Sequence, residues 1–427
     1  MRIIKNNKEL EKFMQLLRKR AVGFSKEVEK AVEVILSDVK NKGDSALRRY
    51  TRLYDRHNLP LRIDEQDTLK YANNADPKII KALKNSALRI KEFHKRQRET
   101  SWSFTKNGVV LGQLIRPLQR IGVYVPGGKA SYPSTVLMNV IPAQVAGVEE
   151  IAVCVPSPLG EVNPSVMAAL KMLGIKEVYR IGGAQAIGAL AYGTKTIKRV
   201  DKIVGPGNIY VTTAKKMVFG DVDIDMIAGP SEITIVADHT ANPAIVAADM
   251  LGQAEHDEMA SSILITNSDE LIIKVSEQLK SQIKSLKRKE IAQKSLRAFG
   301  AIIKTDTISQ ALNIANEIAP EHLEIITENP SKDIKMVKNA GAVFLGQWTP
   351  EPLGDYSAGP NHTLPTCGTA RFSSPLGVYD FIKRTSLLQF DKKGFMEIAD
   401  LVETLADAEG LEAHANTISI RKKLMNS

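Results

Sequence analysis

Four short stretches carry most of the readable chemistry of this chain. They are Gln253-Ala-Glu-His256, Glu321-His322, Gly354-Asp355, and Glu409 with His414. Each offers a metal-type ligand or a proton-transfer group in a polar setting. The chain has only seven histidines, and three of them, His256, His322 and His414, lie here. Mixed ligands scattered along a chain point to a catalytic metal site assembled by the fold. A structural zinc module would instead show cysteines paired at short spacing.

Gln253 and His256 lie three apart in a helix expected to start near Ala244, so they share a face. Imidazole is a good zinc ligand, while a glutamine amide oxygen is a weak and unusual one. Surface hydrogen bonding is the competing use for both. Pro320-Glu321-His322-Leu323 reads as a turn. Adjacent side chains point in different directions, yet both can serve one cleft as acid–base groups. Residues 350–375 form a long polar stretch rich in glycine and proline, running through Asp355 and His362 to Arg371. A loop of that length without structure of its own is usually functional. Cys154 reads as a small buried strand residue, and Cys367 has no base partner, so neither is a nucleophile. His57, His94 and His239 have no partner logic and are expected at the surface.

These groups need a large scaffold, and 427 residues allow two or more domains with substantial cores. The start of the chain turns polar at once, unlike a signal peptide. The most apolar stretch, about 136–155, is broken by Asn139, Pro142, Gln144 and Glu149-Glu150, so no membrane span is expected. With only two cysteines there is no disulfide framework, and a cytoplasmic location is the default. The net charge of +10 comes from basic residues mixed with acidic ones, without interleaved aromatics. That argues against a nucleic-acid partner and suits an anionic dinucleotide.

The first hundred residues show helical stripes, such as Leu10, Phe13, Met14, Leu17 and Val28, Val32, Ile35, Val39. The middle alternates. Strand-like runs at 121–125, 151–155, 178–181, 202–204 and 233–237 are separated by helical patterns such as 134–146 and 166–173. A second set follows at 263–266, 301–304 and 342–345, with helical segments at 269–285 and 307–317. Two parallel α/β units are predicted, dividing near Pro126-Gly127-Gly128 and Gly229-Pro230-Ser231. From about residue 376 the chain reads as helical again, with the stripe Ile398, Leu401, Val402, Leu405 ended by Gly410. Such a tail often packs on something else.

Three glycine turns follow predicted strands: Tyr124-Val-Pro-Gly-Gly128, Gly182-Gly183-Ala-Gln185 and Gly205-Pro-Gly207-Asn208. None is the G-x-G-x-x-G fingerprint, and each alone is commonly a tight turn. Three at strand C-termini in one unit mark the edge where ligands bind, with helix N-termini available to phosphate.

Jointly the motifs resemble the histidinol dehydrogenase family. The matching strings include Gly122-Val-Tyr124-Val-Pro-Gly-Gly128, Gly182-Gly-Ala-Gln185-Ala-Ile187, Val204-Gly-Pro-Gly-Asn208, Ala228-Gly-Pro-Ser231-Glu232, Gln253-Ala-Glu-His256-Asp257, Ala319-Pro-Glu321-His322-Leu323, Gly354-Asp355 through His362, and Thr369 through Ser374. The resemblance runs from about residue 116 to 425 in family order. It implies a zinc enzyme that oxidises L-histidinol to L-histidine with two NAD and one water, through a bound aldehyde. Gln253, His256, Asp355 and His414 would be the zinc ligands. Those four, with Ser231, His322 and Glu409, would hold substrate. His322 would take the alcohol proton and Glu321 would activate water. Tyr124, Gln185 and Asn208 would contact NAD. The family is a homodimer with an exchanged C-terminal tail, so Glu409 and His414 would serve the partner's site.

The expected fold is two Rossmann-like parallel-sheet domains with helical extensions. The expected division is a helical extension at 1–25, a metal and catalytic domain of 26–123 plus 232–376, an NAD domain of 124–231, and an exchanged helical tail at 377–427. Two other classes compete. A zinc hydrolase using metal-bound hydroxide would turn over without NAD. A non-catalytic metal-dependent binding protein would bind ligand without forming NADH.

Overall fold

The computed structural model describes residues 1–21, 26–127 and 132–426. Gly128, the last residue of one expected turn, lies outside them. Two six-stranded sheets organise the described chain. The first runs Arg2–Ile4, Ala301–Lys304, Ser261–Thr266, Glu232–Ala237, His322–Ile326 and Ala342–Leu345, with every pairing parallel. The second runs Arg62–Ile63, Glu177–Arg180, Glu150–Val155, Arg120–Tyr124, Lys202–Val204 and Asp223–Ile224. Only its edge strand Arg62–Ile63 pairs antiparallel. From a central strand each chain winds outward one way, then crosses over and winds the other. That is the doubly wound arrangement expected of Rossmann-like sheets.

The central strands are almost wholly buried and rich in apolar residues because both faces are covered. Along Glu232–Ala237, Ile233 and Ile235 enter one apolar cluster and Val236 enters the opposite one. Along Glu150–Val155, Val153 and Val155 face one cluster while Ala152 and Cys154 face the other. Cys154 is fully buried, as expected, and burial pushes its thiol up to about 12.

Several elements depart from the sequence reading. Residues 26–123 do not group with 232–376. Helix Lys26–Lys42 packs on helices Gly183–Tyr192 and Ile209–Val218, and helix Pro77–Lys95 packs on Pro133–Ala146. Strands Arg62–Ile63 and Arg120–Tyr124 also belong to the second sheet. The N-terminal segment is not wholly helical, because Arg2–Ile4 forms an edge strand before helix Asn7–Ala21. Nor is the tail wholly helical. Ile382–Phe390 is a strand that pairs antiparallel with Val109–Pro117, which also pairs with Trp102–Lys106. Neither partner shows clean alternation, and the pairing spans most of the chain, so no local pattern announces it. His57 and His94 are buried rather than exposed. His57 Nε2 lies 2.9 Å from Ser157 Oγ, and His94 Nδ1 lies 2.8 Å from the Ile90 carbonyl. His239 is exposed as expected.

Candidate active site

The chemistry-bearing residues sit at opposite ends of the two sheets. In the second sheet the glycine turns follow the C-terminal ends of Arg120–Tyr124, Glu177–Arg180 and Lys202–Val204. The first and third of these strands are the pair at which the strand order reverses. A crevice at that point is where doubly wound sheets bind ligands. Gly205 has φ +110°, and a Cβ there would collide with the Tyr124 carbonyl. Only glycine lets the two turns come this close. The turn is clamped from behind. Asp225 Oδ2 accepts from Gly205 N–H at 2.7 Å, and Lys215 Nζ donates to the Gly205 carbonyl at 3.0 Å. Lys215 and Asp225 also pair with each other in the interior.

Tyr124 is buried, and its hydroxyl accepts from Gly183 N–H at 3.1 Å. Gln185 is buried in the first turn of helix Gly183–Tyr192. Asn208 caps helix Ile209–Val218, accepting from Tyr210 and Val211 N–H. The three expected dinucleotide contacts thus stand on the glycine turns.

In the first sheet the reactive groups gather at the N-terminal ends of the two strands that flank its own reversal. Glu321 stands in the bend expected of a turn, but His322 opens strand His322–Ile326, which pairs with Glu232–Ala237. Both side chains are buried. Glu232 N–H donates to Glu321 Oε2 at 2.9 Å, and the Glu232 carbonyl lies 3.2 Å from His322 Nδ1. A carbonyl only accepts, so Nδ1 carries hydrogen and Nε2 is left free. Among the described residues Nε2 has no hydrogen-bond partner, and it faces Asp355 Oδ1 at 3.8 Å. Burial pushes the Glu321 carboxyl up to about 7. Burial also disfavours a cation at His322, but Glu351, Glu321 and Asp355 outweigh it and hold its pKa well above the usual histidine value.

His256, Glu351 and Asp355 bring one ligand atom each within 4.8 Å of one another. Gln253, buried in the last turn of helix Pro243–Ala254, reaches both oxygens of Glu351. Three of the four expected ligands, Gln253, His256 and Asp355, therefore share one locality. The set of imidazole nitrogen and carboxylate oxygens fits zinc. Ser231 stands directly before Glu232 at the same sheet edge. Glu409 and His414 do not join the cluster. Glu409 ends helix Lys392–Ala408, His414 lies in helix Glu412–Asn426, and both are exposed.

Sequence reasoning missed Glu351 as a site residue. Its one signal was a position four residues before Asp355, one helical turn away on helix Glu351–Tyr356. It is buried, and burial pushes it up to about 8. His362 was noticed only as part of the loop. Its Nδ1 lies 3.1 Å from the Asp355 carbonyl, at the edge of the same cluster. Cys367 is partly buried, and burial raises its thiol to about 11, so it offers no thiolate.

A buried glutamate–histidine pair beside a group that could hold a metal ion, with glycine turns at the reversal point of a second doubly wound sheet, fits an α/β dehydrogenase. The comparisons agree and go further. The family model for histidinol dehydrogenase matches residues 18–422. The histidinol dehydrogenase of Clostridium acetobutylicum is 51% identical over 417 residues, covering 97% of this chain and 96% of that one. That of Caldanaerobacter subterraneus is 53% identical over 400 residues, covering 93% of each. The crystal structure of histidinol dehydrogenase from Elizabethkingia anophelis superposes with a TM-score of 0.95 at 39% identity, covering 100% of this chain and 99% of that one. The chain belongs to the histidinol dehydrogenase family, and it is an NAD-dependent oxidoreductase of histidine biosynthesis. No helix among the described residues is long and apolar enough to cross a membrane.

Proposed function

We propose that the chain oxidises L-histidinol to L-histidine in two hydride transfers, keeping the intermediate aldehyde bound. The observation that carries this reading is the buried Glu321–His322 pair opening onto the His256, Glu351 and Asp355 cluster. His322 has the geometry of a base acting through Nε2, because Nδ1 is committed to the Glu232 carbonyl. With the charge of bound zinc offsetting the carboxylates that raise its pKa, His322 would be neutral at Nε2 and would take the alcohol proton as hydride departs. Glu321 has a carboxyl near neutrality, where one group both accepts and returns a proton. It activates water at the aldehyde stage, and His322 serves the second oxidation.

Gln253, His256 and Asp355 are the zinc ligands in this reading, and His414 is the fourth. Zinc bound there supplies a positive charge that orients the substrate and offsets the carboxylates around His322. NAD, held at the glycine turns that carry Tyr124, Gln185 and Asn208, would supply the hydride acceptor. Ser231 and Glu409 hold substrate. The location is cytoplasmic.

The working unit in this reading is a homodimer with exchanged tails. One face of the three-stranded sheet carries Trp102, Phe104, Leu388 and Phe390, which are 53%, 52%, 65% and 36% exposed. Leu401 and Leu405 on helix Lys392–Ala408 are 61% and 56% exposed. Contiguous apolar surface of this kind marks an interface. A second chain on it would bring in the ligand this chain does not place at its own cluster.

The deciding assay is purified protein with L-histidinol and NAD, read by NADH absorbance. Two NADH per histidinol with little free aldehyde is the expected outcome. A ratio of one, or turnover without NAD as a zinc hydrolase would show, removes the reading.

A further inference from the structure

Both catalytic candidates are held by one residue of the neighbouring strand, and that residue is held by the first helix. On the side facing His322–Ile326, the sheet ladder starts at Ile233. Glu232 stands one residue before it, giving its N–H to Glu321 and holding its carbonyl 3.2 Å from His322 Nδ1. In an extended strand the N–H and C=O of one residue point the same way. Any roll of Glu232 about the strand axis moves both contacts together.

The roll is set from behind. The Glu232 carboxylate pairs with Arg20 from helix Asn7–Ala21, and the two side chains are 6% and 1% exposed. Its other oxygen accepts from Cys367 N–H at 2.9 Å. Arg20 Nη1 donates to the Met259 carbonyl at 2.9 Å and reaches the Ser231 carbonyl at 3.5 Å. Its guanidinium also lies 5.7 Å from the centre of the Phe299 ring. One fork thus ties together the start of the Glu232 strand, the turn before Ser261 and, through the shared carboxylate, the loop at Cys367.

We infer that Arg20 and Glu232 are positioning residues for the oxidation, fixing Glu321 and His322 through the backbone of Glu232. The inference rests on the reading of those two as the acid–base pair. It also gives the N-terminal helix a task in the reaction. A buried ion pair is a poor device for stability alone, since apolar residues of similar volume often do as well. Its use here is orientation. A misplacement of about 1 Å in a reacting group can cost about 10²-fold in rate.

Arg20→Met and Glu232→Gln should each lower kcat by about 10²-fold. KM for NAD should stay unchanged, because the glycine turns of the second sheet are untouched. Arg20→Lys keeps the charge without the planar fork, so it should fall between. The deciding measurement is a double-mutant cycle with His322→Asn. If Arg20 acts through the pair, Arg20→Lys should cost much less in the His322→Asn background than in the native one. An equal loss in both backgrounds, or native kcat in both Arg20→Lys and Glu232→Gln, would overturn the inference. Should Arg20→Met fail to fold, the two smaller changes complete the cycle, with thermal melting recorded beside kcat. The outcomes separate the two ideas. Full activity in His322→Asn defeats the acid–base reading itself. A slow His322→Asn with additive losses defeats only the positioning role.

Discussion

Gln253 presents its carboxamide to both oxygens of Glu351, at 3.3 and 3.2 Å. With the NH2 end toward Glu351, both carboxyl oxygens can accept from it, and the amide oxygen is turned away from Glu351. In the proposed zinc site Glu351 would thereby orient the Gln253 amide, a weak oxygen ligand, before metal binds. Partners that orient metal ligands are worth about 10- to 100-fold in affinity. Glu351→Ala should weaken zinc binding by about that factor. His256→Asn should lower it at least as much, and His239→Asn should leave it unchanged. Zinc retained after dialysis against buffered chelator reads all three. Native zinc retention in both Glu351→Ala and His256→Asn would remove the metal assignment.

Glu321 and His322 are neighbours in sequence, and in the proposed reaction they have separate tasks that the two half-reactions can tell apart. General acid–base catalysis contributes about 10²- to 10⁴-fold. His322→Asn should slow both alcohol and aldehyde oxidation by about that order. Glu321→Gln should chiefly slow the aldehyde stage, where water must be activated. Single-turnover measurements started from histidinol and from histidinal make the comparison. Equal losses for Glu321→Gln in both would reduce Glu321 to a support for His322.

The raised carboxyl of Glu321 makes a pH prediction with a definite sign. As a base toward water it acts in its ionised form. Burial pushes its pKa up to about 7, so the ionised fraction shrinks as pH falls through that value. The aldehyde half-reaction should therefore decline on the acid side with a limb near neutrality rather than near the ordinary carboxylate range. That limb should vanish in Glu321→Gln, leaving a low, flat rate. A limb that survives the substitution belongs to another group.

The strands around the site were legible because their apolar runs are local and unbroken. Lys202–Val204, Ala301–Lys304 and Ala342–Leu345 lie where the pattern put them. The glycine turns were legible for the same reason: Gly205 answers to a close approach that only glycine permits. What escaped depended on distant partners. Glu351 looks like any acidic residue between two prolines until folding buries it against Gln253 and His322. His322 looked like a turn residue because Pro320 precedes it, and its strand exists through pairing with Ile233 and Ala342. His94 offered no sequence partner because its partner is a backbone carbonyl one turn back. Strand Ile382–Phe390 pairs with Val109–Pro117 across most of the chain, and its exposed side chains leave no periodic trace.

The tail gives the most discriminating test of the dimer. Helix Lys392–Ala408 has helix Glu412–Asn426 and strand Ile382–Phe390 as its main neighbours, and His414 is not among the grouped metal ligands. If His414 completes a zinc site, a second chain must receive it. Each site would then mix two chains, taking His256 from one and His414 from the other. Chains bearing His256→Asn or His414→Asn should each be inactive as homodimers. In a mixed dimer one site collects both lesions and the other collects neither. Co-expression with two affinity tags isolates that species, and its activity should approach half the native value per dimer. Bound zinc should follow the same arithmetic, with one tight site per mixed dimer. An inactive, zinc-poor mixed dimer would mean that His414 serves its own chain or binds no metal, and the exchanged tail would have to be abandoned.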